Sequence, residues 1–442
     1  MTHTSQPAPG ALEPFWMPFT ANRSFKEHPR LFTGARGMYY RTHDGRQILD
    51  GIAGLWCVNA GHSQPAIVAA IRAQAEQLDF VSSFQMSHPA AFELATRLSA
   101  LAPGDLNHVF FTNSGSESVD TALKIARGSH RARGDCARTK LIGRMKGYHG
   151  VGFGGISVGG MGRHKRDFGP LLPDVDHLSL PYDPLPSAFS RGQPLGGAEY
   201  ADELLSLITL HGEGTIAAVI VEPITGSGGV FPPPQGYLAR LRELCTRHGI
   251  LLIFDEVITG FGRVGRPFAA ELLGVTPDIT VCAKGMTNGA VPMGCVLASS
   301  AVFEAYMSKP AEQIELPHGY TYSAHPLACA AALAALDVYR DQKLFERAAQ
   351  LAPTWEKAVH GLRDSPHVTD IRNIGLLAGI ELEPREGVPG ARGAAVNQAC
   401  FEAGFLIRNT GDTLLLSPPL IISEAEIGQL IEAIATALRR VA

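Results

Sequence analysis

The strongest constraint on this chain is a pair of short apolar runs that each end on a charge. Leu251-Leu252-Ile253-Phe254 stops on Asp255-Glu256, and Ile279-Thr280-Val281-Cys282-Ala283 stops on Lys284-Gly285. Between them lies a glycine-bearing loop, Thr259-Gly260-Phe261-Gly262-Arg263. Short apolar runs bounded by turn signals predict strands buried on both faces, as in a parallel sheet. Open α/β sheets collect their ligands at the carboxyl ends of such strands. A carboxylate and an amine delivered there cost too much to bury without a partner or a chemical role.

Two readings stay open at this point. In one, Asp255 and Lys284 neutralise each other as a buried salt bridge. In the other, they serve pyridoxal 5'-phosphate (PLP). That cofactor needs a lysine to hold its aldehyde as a Schiff base, and a carboxylate to keep its pyridine nitrogen protonated so that the ring draws electrons. Burial beside a cationic cofactor is also a route to a deprotonated, nucleophilic lysine. A further turn bears on the choice. His108-Val109-Phe110-Phe111-Thr112 predicts a strand, and Asn113-Ser114-Gly115-Ser116-Glu117 opens a helix. Ser114 with Glu117 three residues later fits a capping box. The same turn would offer Gly115 and Ser116 to a phosphate at the positive end of the helix. An ordinary cap and a phosphate site are both compatible with it.

The 442 residues exceed what one core serves and predict about two to three structural domains. A net charge of −4 without a long run of one sign argues against nucleic acid or an anionic membrane as partner. No apolar run approaches the roughly 18 residues of a membrane span. Residues 1–10 are polar and show no signal-peptide pattern. The seven cysteines are scattered and lack Cys-x-x-Cys spacing, so no disulfide framework or structural zinc is expected, and a cytoplasmic location fits. The 16 histidines show no metal-binding spacing.

Along the chain, Asp44-Gly45 predicts a hairpin turn between 37–42 and 47–50. Gly54-Leu55-Trp56 carries a large aromatic that is either core or site lining. Residues 65–78 predict an amphipathic helix. Residues 140–143 predict a strand, and Lys146-Gly147-Tyr148-His149-Gly150 follows it. Residues 150–155 satisfy Gly-x-Gly-x-x-Gly, but without a clean strand before and helix after, so a dinucleotide site is discounted. Residues 160–200, rich in Gly, Pro and Asp, predict an excursion loop. Residues 217–221 predict a strand ending on Glu222-Pro223, and 236–248 a helix crossing to the strand at Leu251. Residues 294–298 predict another strand, and 325–339 and 344–362 two helices. Strands at 379–382, 405–408 and 413–416 then alternate with helices at 392–403 and 423–440. The expected organisation is a segment 1–83 that joins the small domain, a large domain 84–340 and a C-terminal small domain 341–442.

These residues resemble a known family. Ser114-Gly115-Ser116-Glu117, Tyr148-His149-Gly150, Glu222-Pro223, Phe254-Asp255-Glu256-Val257-Ile258-Thr259-Gly260-Phe261-Gly262-Arg263 and Ala283-Lys284 look like class III PLP-dependent aminotransferases of fold type I. The likeness spans nearly the whole chain. Trp16-Met17-Pro18-Phe19, Gly54-Leu55-Trp56, residues 288–294 and residues 318–326 resemble the ω-amino acid (β-alanine)–pyruvate aminotransferases in particular. The resemblance implies an α/β fold: a large domain with a mainly parallel sheet, and a small α/β domain built from both termini. It implies that Lys284 carries PLP and shuttles a proton, that Asp255 pairs with the pyridinium, and that Val257 and Tyr148 cover the two ring faces. Ser114, Gly115 and Ser116 would hold the phosphate with Thr321 of a neighbouring subunit, while His149 and Glu222 would adjoin the cofactor. Phe19, Trp56, Phe84 and Tyr148 would line the substrate pocket, with Arg408 on the substrate carboxylate. Thr321 acting across an interface implies a homodimer, or dimers paired into a tetramer.

The implied reaction passes an amino group from an ω-amino acid or primary amine to pyruvate. Within the same fold, a 4-aminobutyrate or diamine aminotransferase and a PLP decarboxylase or racemase share every cofactor residue. From other classes stand a non-catalytic PLP-binding protein and a nicotinamide oxidoreductase. For Arg408 the bland alternative is a surface pair with Asp412.

Overall fold

The computed structural model describes residues 12–441, so the reading of residues 1–10 falls outside it. Ten strands precede the C-terminal part. They are β1 (Phe32–Arg36), β2 (Tyr39–Thr42), β3 (Gln47–Asp50), β4 (His108–Thr112), β5 (Lys140–Arg144), β6 (Val175–Leu178), β7 (Ile216–Val221), β8 (Leu251–Asp255), β9 (Ile279–Cys282) and β10 (Gly294–Ala298). Five follow: β11 (Val368–Ile374), β12 (Leu377–Leu382), β13 (Phe405–Leu406), β14 (Arg408–Thr410) and β15 (Thr413–Leu416).

The charge-ending runs are neighbours in a seven-stranded sheet of order β4-β10-β9-β8-β7-β5-β6. The pairings among β5, β6, β7, β8 and β9 are parallel. Only β10 runs against its neighbours β4 and β9. The sheet is thus mainly parallel, and β8 shows why its sequence is apolar throughout. Leu251 and Ile253 pack with Val119, Ala122 and Ile125 of the helix Gly115–Ala132 on one face. Leu252 and Phe254 pack with Leu238 and Leu241 of the helix Tyr237–Arg247 on the other. Each large side chain so buried contributes about 1.5–3 kcal/mol, and a polar residue at any of them would lose that and strand its own hydrogen bonds. Asp255 stands opposite Val281 in the β8–β9 register. Lys284, three residues later, therefore emerges at the same carboxyl edge.

A second sheet, β1-β2-β3-β13, contains the expected Asp44-Gly45 hairpin, with Tyr40 opposite Ile48. Its last strand comes from the far end of the chain: β13 lies parallel to β3, Phe405 opposite Leu49. The third sheet has the order β11-β12-β15-β14.

Two expectations need correction, and one strand was missed. Residues 160–200 are not all loop, since β6 extends the central sheet alongside β5; as an edge strand only Leu178 of it is fully buried, so it lacks a continuous apolar run. Residues 405–408 do not form one strand. The chain breaks at buried Ile407, giving β13 to one sheet and β14 to another. β11 was hidden by its charges: Arg372 pairs in the interior with Asp370 at 2.5 Å and with Glu381 of β12 at 2.7 Å.

Candidate active site

Lys284 begins a single turn, Lys284–Thr287, with a backbone φ of +50°. Non-glycine residues seldom hold that left-handed conformation, and strain of this kind gathers at working sites. Gly285 is required beside it, because a Cβ there would meet Asn59 Nδ2 at 2.6 Å. Burial pushes the Lys284 amine down to about 8, against the opposing pull of Asp255. Among the described residues no carboxylate lies within 4.0 Å of its Nζ.

Asp255 is engaged elsewhere. Its Oδ2 meets His149 Nδ1 at 2.8 Å, and its Oδ1 accepts the Val257 N–H at 3.1 Å. Both side chains are buried, and His149 Nε2 has no partner among the described residues. This geometry sets aside the salt-bridge reading of Asp255 and Lys284. The next residue, Glu256, is structural. Its carboxylate accepts the Ala269 and Ala270 N–H groups and the Thr259 hydroxyl, holding the loop that follows β8.

At the end of β4 the helix Gly115–Ala132 opens over the same cleft. Ser114 is its N-cap and accepts the Glu117 N–H at 3.2 Å, while Glu117 reaches back to the Asn113 N–H at 2.7 Å. The reciprocal bond is one residue earlier than a capping box requires, and the Ser114 hydroxyl is spent on the cap. Gly115 and Ser116 do line the cleft, and the first N–H groups of a helix have no carbonyl of their own to bind. Ser116 Oγ accepts the Val151 N–H at 3.1 Å. Gly150, at φ +86°, lets that segment approach, since a Cβ would reach Ser116 Cα at 2.6 Å. The discounted glycine run thus packs around the helix start.

Glu222 at the end of β7 accepts the Tyr148 N–H at 2.9 Å and the Gly226 N–H at 2.8 Å. Burial raises its carboxyl above the usual range. Burial, and then Asp255, raise the Tyr148 phenol. Trp56 resolves its two readings by satisfying both, being only 4% exposed yet lining the cleft. Lys284 Nζ sits 5.2 Å and Arg408 Cζ 5.7 Å from its ring centre, within cation–π range. Asp412 spends its carboxylate on the Gly390 and Gly393 N–H groups at 2.5 and 2.8 Å, so it is not the partner of Arg408.

Phe19, Trp56, Gly115, Ser116, Tyr148, His149, Glu222, Asp255, Val257, Lys284 and Arg408 all line one cleft of about 340 Å³. Ser114, spent on the helix cap, is not in its lining, and neither Phe84 nor Thr321 is brought there. Phe84, 54% exposed, lies against Gly319, and the Ser83 hydroxyl and His88 ring tie its segment to the carbonyls of Ser323 and Ala324. Both residues therefore share an outer surface with Phe80 and Tyr322. Sequence reading also missed Leu55, Met161, Arg163, His164 and Ser227, which the cleft includes. Met161, Arg163 and His164 fell in the supposed excursion loop, where nothing in their spacing marks them.

The sheet order with its strand-end lysine defines a fold type I transferase. The chain belongs to the class III aminotransferases: residues 20–438 match the family described as Aminotransferase class-III. It is 57% identical over 430 residues to an omega-aminotransferase of Caulobacter vibrioides, covering 97% of this chain and 98% of that protein. It is 49% identical to a beta-alanine–pyruvate aminotransferase of Pseudomonas aeruginosa, over 98% and 96% of the two chains. Among solved structures it resembles an (S)-enantioselective omega-transaminase from Thermomicrobium roseum, with a TM-score of 0.91, 37% identity and 97% of each chain covered. An amine transaminase from an uncultivated Pseudomonas species, described as PLP-bound, matches at a TM-score of 0.90 and 36% identity, over 97% and 99%.

Proposed function

We propose that this aminotransferase moves the amino group of an ω-amino acid or a primary amine, β-alanine among them, to pyruvate. The products are alanine and an aldehyde, ketone or semialdehyde, and PLP is the cofactor. The observation that carries this is the Lys284 amine: without a salt-bridge partner among the described residues, lowered to about 8 and sharing one cleft with a braced carboxylate.

The residues present fit PLP. Lys284 offers an amine to an aldehyde, Asp255 a buried carboxylate to a ring nitrogen, and the helix start at Gly115 and Ser116 an anion site. Val257 and Tyr148, which line the same cleft, would flank the ring. Bound there, PLP supplies an electron sink for breaking bonds at the carbon that carries the amine. The chain supplies the rest. Lys284 Nζ takes a proton from the substrate carbon and returns it, which its lowered pKa favours near neutral pH. Asp255 would hold the proton of the ring nitrogen, its carboxylate oriented by His149. Arg408 receives the carboxylate of pyruvate with a two-pronged guanidinium.

A homodimer completes the site in this reading. Thr321 and Phe84, turned away from their own cleft, would join the cleft of a second copy. Free thiols at all seven cysteines support a cytoplasmic location; no helix among the described residues is long and apolar enough to cross a membrane. The amine-to-pyruvate pairing draws on the names of the two relatives above. More distant ones act under the names putrescine–pyruvate aminotransferase, at 38% identity, and gamma-aminobutyrate transaminase, at 34%. A donor panel of β-alanine, putrescine, 4-aminobutyrate and a benzylic amine, each with pyruvate and with 2-oxoglutarate, tests the assignment. Turnover of β-alanine or the benzylic amine with pyruvate is expected. Turnover only with 2-oxoglutarate would overturn it.

A further inference from the structure

Lys284 stands at the head of a turn whose strain something must hold. Its φ of +50° is matched at the far end by Asn288 at +53° and Gly289 at +67°. Left-handed backbone at a residue other than glycine persists only where the surroundings over-determine it. Within the turn the Gly289 N–H reaches the Lys284 carbonyl at 3.2 Å, and the Asn288 N–H the Gly285 carbonyl at 3.0 Å. Two buried side chains that the proposed reaction does not use supply the rest, from two different parts of the fold.

The first is Asn288 itself, which is 5% exposed. Asparagine is among the few residues other than glycine that enter the left-handed region readily. Its Oδ1 accepts the Ala60 N–H at 2.7 Å and its Nδ2 donates to the Gly61 carbonyl at 2.9 Å. One side-chain amide thus sews the turn to the stretch that follows Trp56. That stretch runs along the whole turn: Asn59 lies against Gly285, and a Cβ on Gly289 would meet Cys57 Sγ at 3.0 Å. The second is Tyr339 of the helix Pro326–Asp341, whose hydroxyl donates to the Gly285 carbonyl at 2.5 Å. Tyr339 is 1% exposed, and its ring packs with those of Phe261 and Phe345. Neither Asn288 nor Tyr339 lines the cleft.

We infer that Asn288 and Tyr339 are positioning residues: they clamp this turn so that Lys284 Nζ keeps its place 5.2 Å from the centre of the Trp56 ring, ready to take and return a proton. Proton transfer needs a reach of about 2.6–3.2 Å, and a side chain as long as lysine keeps such a reach only from a fixed backbone. Asn288 makes the lysine turn and the wall that carries Trp56 one body. Tyr339 ties the same turn to the helix packed behind it. The inference rests on the reading of Lys284 as the residue that takes the cofactor's aldehyde.

The test uses Asn288→Gly, which keeps the left-handed backbone and removes both side-chain bonds, and Tyr339→Phe, which keeps the ring and removes the hydroxyl. Neither alters Asp255, Cys57, Glu222 or Arg408, the groups whose charges act on Lys284. Two quantities are read: kcat and KM of each holoenzyme with a benzylic amine and pyruvate, and the pH midpoint for PLP capture by each cofactor-free protein. Misplacement by an ångström sets the scale of the expected loss, a fall of about 10–100-fold in kcat with KM changed less than about threefold. The capture midpoint should rise from about 8, because a loosened turn lets water reach the amine. A lower melting temperature with kcat per loaded molecule and midpoint both unmoved overturns the inference, since the two residues then serve stability alone. So does PLP lost on dialysis with kcat restored by excess PLP, which would assign them to cofactor retention. A parent protein that captures no PLP overturns the underlying reading of Lys284, whereas variants that match a competent parent overturn the inference alone.

Discussion

Changing pH around the cofactor-free protein should expose the state of Lys284 directly. Only the unprotonated amine attacks an aldehyde, so its rate of capture rises with pH until the amine is fully free. An ordinary lysine, titrating near 10.5, is about 0.03% free at pH 7. With burial holding Lys284 at about 8, the free fraction at pH 7 is about 9%, a gain of roughly 300-fold. The assay mixes cofactor-free protein with PLP and follows the visible absorbance of the captured aldehyde from about pH 6 to 10. The rate should climb tenfold per pH unit and level off near pH 8. Asp255 works in the other direction, holding the proton on Lys284. Asp255→Asn should therefore move the midpoint further down while keeping the shape of the site. A midpoint near 10, or an upward move in the variant, would refute the account of burial opposed by one carboxylate.

The same shift has a stability counterpart. Below about pH 8 the folded state carries a buried ammonium at a cost of up to about 3 kcal/mol, and the cost disappears as pH rises from 8 to 10.5. Cofactor-free Lys284→Met should thus resist denaturant better than the parent at pH 7 but not at pH 10.5. Arg408→Ala should slow the pyruvate half-reaction at least tenfold and spare amino transfer from a benzylic amine; single-turnover rates that fall equally in both would reject the carboxylate role. Glu256→Gln offers an NH2 group where Ala269, Ala270 and Thr259 all donate. It should cost about 1–3 kcal/mol in urea unfolding and leave the cofactor spectrum intact.

What was legible in the sequence was whatever shows as a run of buried apolar side chains. β7, β8, β9 and β10 are buried end to end, and the charges that close three of them mark the site. Strands that are half-exposed, or whose charges pair internally, give no such signal; β6 and β11 are the examples. The site followed the same division. Lys284, Asp255 and Glu222 sit at strand ends, where position implies function. His149 was named for the cofactor, yet its ring acts on Asp255, a relation between residues more than a hundred positions apart. Arg163 and His164 lie in a turn whose place over the cleft depends on where β6 docks, which no local spacing records.

The break at Ile407 gives Arg408, the proposed carboxylate receptor, two owners. On one side of it the chain is stitched to β3, through Phe405 with Leu49 and Leu406 with Asp50. On the other it is stitched to β15, through Arg408 with Leu415. Asp50 in turn holds the backbone that leads to Trp56, accepting the Ile52 and Gly54 N–H groups at 3.0 and 2.6 Å and meeting His62 at 2.7 Å. The cleft wall that carries Arg408 and Trp56 is therefore wired to the N-terminal hairpin, far from Arg408 in sequence. Trimming that hairpin, or straining it with a fused partner, would register first as a poorer grip on pyruvate.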